Sequence, residues 1–342
     1  FIYFILSQNM KILINYPSNF NIAQESIKKR GGIETLNYDL AKFLSKQKMK
    51  VFISSICKKN IKKNNILNLP IESIKKNSHR YKFDAIISSN DSCIFNYFPN
   101  SKKFLWMHNK LQIEKSIRKK QFFSIFRNKP IVIFVSNYLK DATSKIYPFK
   151  KRYVIPNFLT SEFIKKNPTN ITREPIFVWS VQRDRGLDDT IEMWIKKIFP
   201  KSKKAFFYIL GLNELDQKYD IKFLRSRNII FLGRVSKKKL KEIYFKSTAM
   251  ICLGYDETFC LNALEANSCG LPIISFGKSA LKDFVKNNFN GFIVKNYGQL
   301  SSKILYLLNL NSLKKKKFIN NSILNSKKYN PNIIINHWLN LL

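Results

Sequence analysis

The feature of this sequence that most constrains its fold is a regular alternation of short apolar runs and helical patterns. In the first half, near-continuous apolar runs predict strands that are buried on both faces of a parallel sheet. These runs are Lys11–Tyr16, Val51–Ser55, Asp84–Ser88, Lys103–Met107 and Ile131–Val135. Between the first two, residues 33–45 place apolar side chains on one helical face. Strand–helix–strand units of this kind predict an α/β fold with a doubly wound sheet.

The alternation stops at a polar segment and then starts again. Ile164–Pro175 carries Pro and Asn with little apolar content, which is typical of a linker. Further strands are predicted at Ile176–Val181, Ala205–Leu210, Ile229–Leu232, Met250–Leu253, Ile273–Phe276 and Phe292–Val294. Helices are predicted between them, at Thr190–Ile198 and Lys238–Lys246.

A chain of 342 residues suits two domains of about 150 residues each. We predict a first domain over 10–163, a linker over 164–175, a second domain over 176–325 and a C-terminal helix over 326–342. Ligands of doubly wound domains bind at the carboxyl ends of the strands, so we expect the site in a cleft formed there. The strand at Lys11 follows Met10 directly, and we expect residues 1–9 to precede the native start.

The formal net charge of +39 allows two interpretations. It either attracts polyanions or reflects a coding bias, because Lys, Asn and Ile are abundant throughout and share AT-rich codons. The charge is spread along the chain, and we find neither a nucleic-acid recognition motif nor interleaved aromatic residues. We therefore expect no nucleic-acid partner, although the positive electrostatic field of the chain favours anionic ligands.

Cysteine and histidine usage excludes several classes of site. The five cysteines show no C-x-x-C spacing and the chain has only three histidines, so we expect no disulfide framework, zinc site or other metal site. No apolar run reaches the roughly 18 residues of a membrane helix. We expect a cytoplasmic protein, or one that rests peripherally on the inner face of the membrane.

The most informative segment runs from Tyr255 to Ala266 and reads Y-D-E-T-F-C-L-N-A-L-E-A. A helix ending at Gly270 places Glu257 at its entrance and Glu265 about two turns inside. The free amides and positive dipole end of a helix N-terminus bind diphosphates. Phe259, Cys260 and Leu261 would supply those amides. Two carboxylates that flank the amides can hold the hydroxyls of a sugar and of a ribose joined by a diphosphate.

This segment resembles the E-x7-E signature of the group 1 (family 4-like) retaining glycosyltransferases. The signature often reads E-x-F-G-L-x-x-L-E-A and continues to C-G-x-P-V-I, and this chain has E-T-F-C-L-N-A-L-E-A and C-G-L-P-I-I. Cys260 replaces the usual glycine, and its Cβ narrows the approach to the phosphates. The alternative interpretation is an ordinary amphipathic helix with two exposed glutamates.

Three further elements are similar to that family. Arg185-Gly186 matches a basic residue before Gly that contacts the donor diphosphate, and Arg183 stands in for a second Arg. Gly31-Gly32 resembles a loop that faces the phosphates and the acceptor. His108 lies at a strand end where the family often places a His near the transferred sugar.

The resemblance implies the GT-B fold, two Rossmann-like domains facing each other across a cleft, with the acceptor on the first and a nucleotide-sugar on the second. It implies transfer with retention, with Glu257, Arg185 and His108 catalytic and the other matched residues binding the donor, without cofactor or metal. The implied acceptor is a surface glycan or a lipid-linked glycan precursor, and the basic residues 117–127 could rest on anionic membrane. The alternative is a non-catalytic nucleotide-sugar or glycan-binding protein on the same fold.

Overall fold

The computed structural model describes residues 9–19, 22, 31–164, 172–215 and 219–342. The chain forms two compact units, the first comprising Phe1–Phe158 with Pro331–Leu342 and the second Leu159–Asn330. Most of the predicted linker, residues 165–171, lies outside the described residues, as do residues 1–8 of the segment expected to precede the native start.

The first unit is built on an eight-stranded sheet. Its strands are β1 (Lys11–Asn15), β2 (Lys50–Ser55), β3 (Ile61–Lys63), β4 (Ile66–Pro70), β5 (Ala85–Ser89), β6 (Lys102–Met107), β7 (Ile131–Phe134) and β8 (Lys151–Val154). The order is β3-β4-β2-β1-β5-β6-β7-β8, and all neighbours pair in parallel except β3 with β4. Strand β1 lies between β2 and β5, so the order reverses direction there, and ligands bind beyond the carboxyl ends of strands at such points.

The described helices of the first unit connect its strands or, in one case, end the chain. They are α1 (Gly32–Lys46), α2 (Ile71–Lys76), α3 (Ile113–Arg118), α4 (Gln121–Asn128), α5 (Asn137–Asp141) and, at the end of the chain, α14 (Pro331–Leu339). The predicted C-terminal helix packs on this unit, with the ring centroid of Trp338 5.2 Å from that of Trp106. Both indoles are fully buried, so the end of the chain contributes to the core of its first unit.

The second unit is built on a six-stranded parallel sheet. Its strands are β9 (Ile176–Trp179), β10 (Phe206–Leu210), β11 (Ile229–Gly233), β12 (Ala249–Ile251), β13 (Ile273–Ser275) and β14 (Gly291–Ile293), in the order β11-β10-β9-β12-β13-β14. Strand β9 is its reversal point, flanked by β10 and β12.

The described helices of the second unit run between and after these strands. They are α6 (Ser161–Ile164), α7 (Leu187–Met193), α8 (Ile221–Ser226), α9 (Lys237–Lys246), α10 (Leu261–Ser268), α11 (Leu281–Phe284), α12 (Tyr297–Leu308) and α13 (Ser312–Lys327). The helix predicted at Thr190–Ile198 starts earlier and continues past Met193 as a π-helical turn over Trp194–Ile198.

The two sheets, parallel except for the β3–β4 pair, confirm the predicted α/β class. The sequence prediction missed β3, β4 and β8, because strands at or near a sheet edge keep polar and half-buried positions instead of a continuous apolar run. Among the helices of the described residues, none is long and apolar enough to cross a membrane.

Candidate functional site

Arg185 follows β9 on a tight turn whose backbone conformation favours glycine at the next position. Gly186 has φ of +100°, and a Cβ there would lie 2.8 Å from the Leu253 side chain. This turn directs Arg185 across to the loop after β12, where its Nη1 donates to Tyr255 O at 2.7 Å. In the Arg-Gly pair, the glycine therefore suits the backbone conformation of the turn, and the arginine supplies the positive charge.

Carboxylates surround the Arg185 guanidinium. Its Nε lies 3.6 Å from Glu257 Oε1, and its Nη1 lies 3.9 Å from Asp256 Oδ2. The Glu257 side chain is only 15% exposed. Burial raises the pKa of Glu257, and the nearby Arg185 charge opposes that rise. The structure thus places a cation and the first glutamate of the signature side by side.

The helix of the signature, α10, begins right beside this cluster. Cys260 precedes it with φ of +65°, a left-handed conformation that favours glycine. The side-chain amide of Asn262 donates to Ser180 O, which ties the first turn of α10 to the end of β9. The first amides of a helix have no intrahelical acceptor, so they can bind an anion. Phe259, Cys260 and Leu261, the predicted amide donors, lie at this helix start.

Glu265, the second glutamate of the signature, is buried in an ion pair that the sequence prediction missed. Its side chain is 0% exposed, and its two carboxylate oxygens lie 2.7 and 2.6 Å from Lys237 Nζ. Thr160 Oγ1 donates to it at 3.2 Å. Lys237 begins α9 in a run of three lysines, and nothing in that run distinguishes it from its neighbours.

Arg183 takes a different direction from Arg185. Its Nε and Nη2 donate to the two carboxylate oxygens of Asp188 at 3.2 and 2.9 Å, and Tyr219 donates to the same carboxylate. The structure does not bring Arg183 into the cluster around Arg185. Its predicted contact with a donor stays a prediction.

In the first unit, Gly31 and Gly32 lie at the start of α1. Gly31 caps the helix and Gly32 is its first residue. The Glu34 carboxylate accepts from the Gly31 amide, and Ser18 Oγ donates to the same carboxylate at 3.2 Å. The Gly31 amide, which was expected to face an anionic ligand, is thus already hydrogen-bonded to the carboxylate of Glu34. The basic residues 28–30 that precede it lie outside the described residues.

His108 lies where β6 ends, and it is buried. Its ring packs on Trp106 with centroids 4.4 Å apart, and the residue as a whole is only 4% exposed. Burial lowers the pKa of His108 to about 3, so the imidazole is neutral at physiological pH. Asn90 Oδ1 accepts from the amides of His108 and Asn109 at 2.8 and 3.1 Å, which fixes the turn after the strand.

The structure thus assembles part of the predicted site within each unit. Arg185, Glu257 and the start of α10 lie together in the second unit, whereas Gly31, Gly32 and His108 lie at the carboxyl edge of the first sheet. Within the described residues, no group of three or more His, Cys, Asp or Glu side chains could hold a metal ion. The roles assigned to these residues stay predictions.

Comparisons with known proteins match the second unit to a family. Residues 162–324 fit the family described as glycosyl transferases group 1. The chain is 24% identical over 250 residues to alpha-galactosylglucosyldiacylglycerol synthase of Streptococcus pneumoniae, covering 65% of this chain and 65% of that protein. It is 26% identical over 174 residues to N,N'-diacetylbacillosaminyl-diphospho-undecaprenol alpha-1,3-N-acetylgalactosaminyltransferase of Campylobacter jejuni, covering 50% of this chain and 45% of that protein. The alignments therefore leave a third or more of each relative unmatched.

Solved structures match nearly the whole chain. Sucrose-phosphate synthase from Thermosynechococcus elongatus superposes with a TM-score of 0.75 at 13% identity, covering 97% of this chain and 98% of that chain. HepE of Anabaena, solved with UDP and glucose, superposes with a TM-score of 0.72 at 15% identity, covering 98% and 100%. Likeness at such low identity shows the fold, which is GT-B. Residues 162–324 thus match the group 1 glycosyltransferases, and the chain as a whole has the GT-B fold.

Proposed function

We propose that this protein is a glycosyltransferase that moves a sugar from a nucleoside-diphosphate sugar to a glycan or lipid-linked acceptor, with retention of configuration. One observation carries the proposal: the Arg185 guanidinium lies 3.6 Å from Glu257 beside the first turn of α10. A cation, a carboxylate and helix amides are the groups that a leaving diphosphate and its sugar require.

Each group has a separate task on the donor. Arg185 and the first amides of α10 bind the diphosphate and stabilise the charge that develops as the sugar leaves. Glu257 accepts hydrogen bonds from the sugar hydroxyls and fixes their orientation. Proteins of this fold have been solved with UDP, as HepE was, and UDP is the first nucleotide to try.

Glu265 would bind the ribose of the donor together with Lys237. Its carboxylate is already paired with that ammonium, so ribose hydroxyls would join an existing ion pair. Hydrogen bonds to a carboxylate held by an ion pair are charge-assisted and directional. Lys237 is thus a positioning residue for the donor.

We expect the reaction to need no metal ion. The positive charge required at the diphosphate is available from Arg185 and from the dipole of α10. Addition of EDTA should therefore leave turnover unchanged, and a loss that Mg²⁺ or Mn²⁺ restores would contradict this part of the proposal.

The first unit would supply the acceptor side of the reaction. His108 is held neutral by burial, so it would act as a hydrogen-bonding group near the transferred sugar and not as a proton donor. Gly31 and Gly32 would allow the acceptor or the donor phosphates to approach the start of α1, where Glu34 already binds an amide.

The acceptor is proposed to be bound to lipid. The names of the two relatives specify a diacylglycerol glycolipid and a diphospho-undecaprenol. Helices α3 and α4 of this chain expose four large apolar side chains, Ile113, Ile117, Phe123 and Phe126, from 41% to 63%. The exposed cations Arg118, Lys120 and Arg127 lie among them.

Apolar side chains interspersed with cations are the pattern of a helix that lies in an anionic membrane surface. We call this surface, formed by residues 113–127, the α3–α4 surface, and infer that it rests on the inner face of the membrane. Sedimentation with phosphatidylglycerol vesicles should be lost in Phe123→Ser/Phe126→Ser, and persistence of binding would contradict the inference.

Release of nucleoside diphosphate from UDP-, GDP- and ADP-sugars tests the proposed activity. Arg185→Ala should lower kcat by about 100-fold, because it removes a preorganised charge at the leaving group. Arg225→Ala is the matched control, since Arg225 is an exposed arginine of the same unit. A wild-type protein that binds these donors and never turns them over would instead be a binding protein.

A further inference from the structure

A polar cavity lies beside the α3–α4 surface, in the first unit. Its volume is about 90 Å³, which is room for about six water-sized groups. It is lined by Asn90, Met107, Asn109, Lys110, Leu111, Gln112, Lys115, Ser116, Lys119 and Gln121. The lining therefore starts at the strand end that carries His108 and extends to the first residue of α4.

The charge of this lining is of one sign. Among the described residues of the lining, three are lysines and none carries an acidic side chain. Lys115 and Lys119 are four positions apart, which places them on the same side of α3 and its C-terminal cap. The nearby carboxylate of Asp91 is engaged elsewhere, accepting from the Cys93 amide at 3.0 Å and from Asn15 at 3.2 Å.

Hydrogen bonds hold the walls of the cavity in place. Gln121 Nε2 donates to the carbonyl of Asn90 at 3.0 Å, and the Asn90 side chain accepts from the amides of His108 and Asn109. Ser116 is buried and its hydroxyl bonds to that of Tyr147 at 2.8 Å. The backbone that carries the lysines is thus held in place by these hydrogen bonds. This lowers the entropy cost of ordering the lysine side chains around an anion.

The size and the positive charge of the cavity indicate the class of ligand that it binds. A phosphate group has five heavy atoms and fits the cavity, and lysine ammonium groups with amide donors are groups that bind phosphate. The exposed apolar side chains of the α3–α4 surface begin at Ile113, within the helix that carries Lys115. A phosphate bound in the cavity can therefore be joined to a chain that lies in a membrane.

We propose that this lysine cavity binds one phosphate group of the phosphate or diphosphate that links the acceptor glycan to its lipid. The proposal rests on the proposed function for the reaction and adds the chemical class of the acceptor. Because the cavity lining includes both neighbours of His108, Met107 and Asn109, the bound phosphate would hold the adjoining sugar near the residue assigned to the transfer.

Binding of farnesyl diphosphate and of inorganic pyrophosphate to the full chain tests the proposal, with the donor site saturated by the nucleoside diphosphate that stabilises the protein most. Lys115→Ala/Lys119→Ala should weaken farnesyl diphosphate binding at least about tenfold. The matched control is Lys50→Ala/Lys82→Ala, which removes the same charge at the opposite, amino-terminal edge of the sheet. That control should change affinity less than about twofold, since exposed charges so far away are screened.

Three results would overturn the proposal. Equal losses in both double variants would show that only net charge matters, and no loss in either would show that the cavity is not the site. Inorganic pyrophosphate that binds as tightly as farnesyl diphosphate would assign the cavity to free phosphate and not to a lipid anchor.

Donor hydrolysis without acceptor separates this proposal from the proposed function. The cavity variant should hydrolyse donor at the wild-type rate, and a loss would contradict the assignment to the acceptor. If the wild-type protein releases no nucleoside diphosphate from any donor, with or without an acceptor, but binds farnesyl diphosphate through these lysines, the proposed function fails and the assignment of the cavity to a lipid-linked phosphate stands.

Discussion

Removal of the Lys237 ammonium tests how the second glutamate of the signature is held. In Lys237→Met, Glu265 keeps its place at 0% exposure with only the Thr160 hydroxyl as a hydrogen-bonding partner in the described structure. Removing one partner of a buried ion pair costs about 3–5 kcal/mol. Lys237 itself is 19% exposed, so the lower end of that range applies.

The position of Lys237 in its helix reduces that cost slightly. A cation in the first turn of α9 opposes the helix dipole, so its removal returns about 0.3–1 kcal/mol. We therefore expect the free energy of unfolding to fall by about 2–3 kcal/mol.

Urea unfolding followed by tryptophan fluorescence measures this change, with Lys238→Met as the matched control. Lys238 is the next residue of α9 and is exposed, so its substitution breaks no buried ion pair and should only raise the free energy of unfolding, by about 0.3–1 kcal/mol through the same helix dipole. The double variant Lys237→Met/Glu265→Gln should recover about 1 kcal/mol or more, since the two residues are coupled. A Lys237→Met variant as stable as the control would refute the reasoning.

Three other predictions concern single residues. Gly186→Ala should lower the free energy of unfolding by about 2–4 kcal/mol in urea titrations, because φ is +100° and the Cβ meets Leu253 at 2.8 Å; an unchanged midpoint would show that the turn relaxes freely. Cys260→Gly should tighten nucleoside diphosphate binding by removing the Cβ at the start of α10, whereas Cys260→Ala, which keeps that Cβ, should not; equal effects in calorimetry would contradict this. The pKa of His108 is lowered to about 3 from 6.5, so the unfolded chain binds the proton more tightly and stability falls as pH drops from about 6.5. His108→Asn should reduce the difference between the free energies of unfolding at pH 7 and pH 5 by about 2 kcal/mol. An unchanged difference would show that a group other than His108 binds the proton.

The central strands of both sheets could be predicted because each is a near-continuous apolar run. Parallel strands covered on both faces keep few polar positions, and those of β1, β5 and β6 lie at the strand ends, which is why these strands stand out in the sequence. The edge strand β8 is half-buried along most of its length, and its sequence pattern cannot be distinguished from that of a loop.

The candidate site was predictable only where residues adjacent in sequence act together. Glu257 and the start of α10 follow one strand, so the motif itself places them. The partners of Glu265 come from residues far away in sequence, and only the folded chain brings Lys237 and Thr160 to it. Arg183 shows the converse, since its charge next to Arg185 suggested a shared role and the structure pairs it with Asp188.

The left-handed backbone at Cys260 explains why the signature usually has glycine there. A non-glycine residue with left-handed backbone angles destabilises the fold by about 1–2 kcal/mol, and this chain has a cysteine at that position. Its thiol lies 3.4 Å from that of Cys252 in a buried contact, which contributes packing that glycine would lack.

Calorimetric titration of UDP, GDP and ADP into the wild-type protein and Arg185→Ala tests the donor site most directly. We predict that the nucleotide which binds the wild type loses at least about tenfold in affinity in Arg185→Ala, because a charge-assisted bond to phosphate is worth about 1.5–3 kcal/mol. Arg225→Ala should bind that nucleotide as the wild type does. Equal affinity of the wild type and Arg185→Ala would contradict the placement of the diphosphate beside Glu257 and α10.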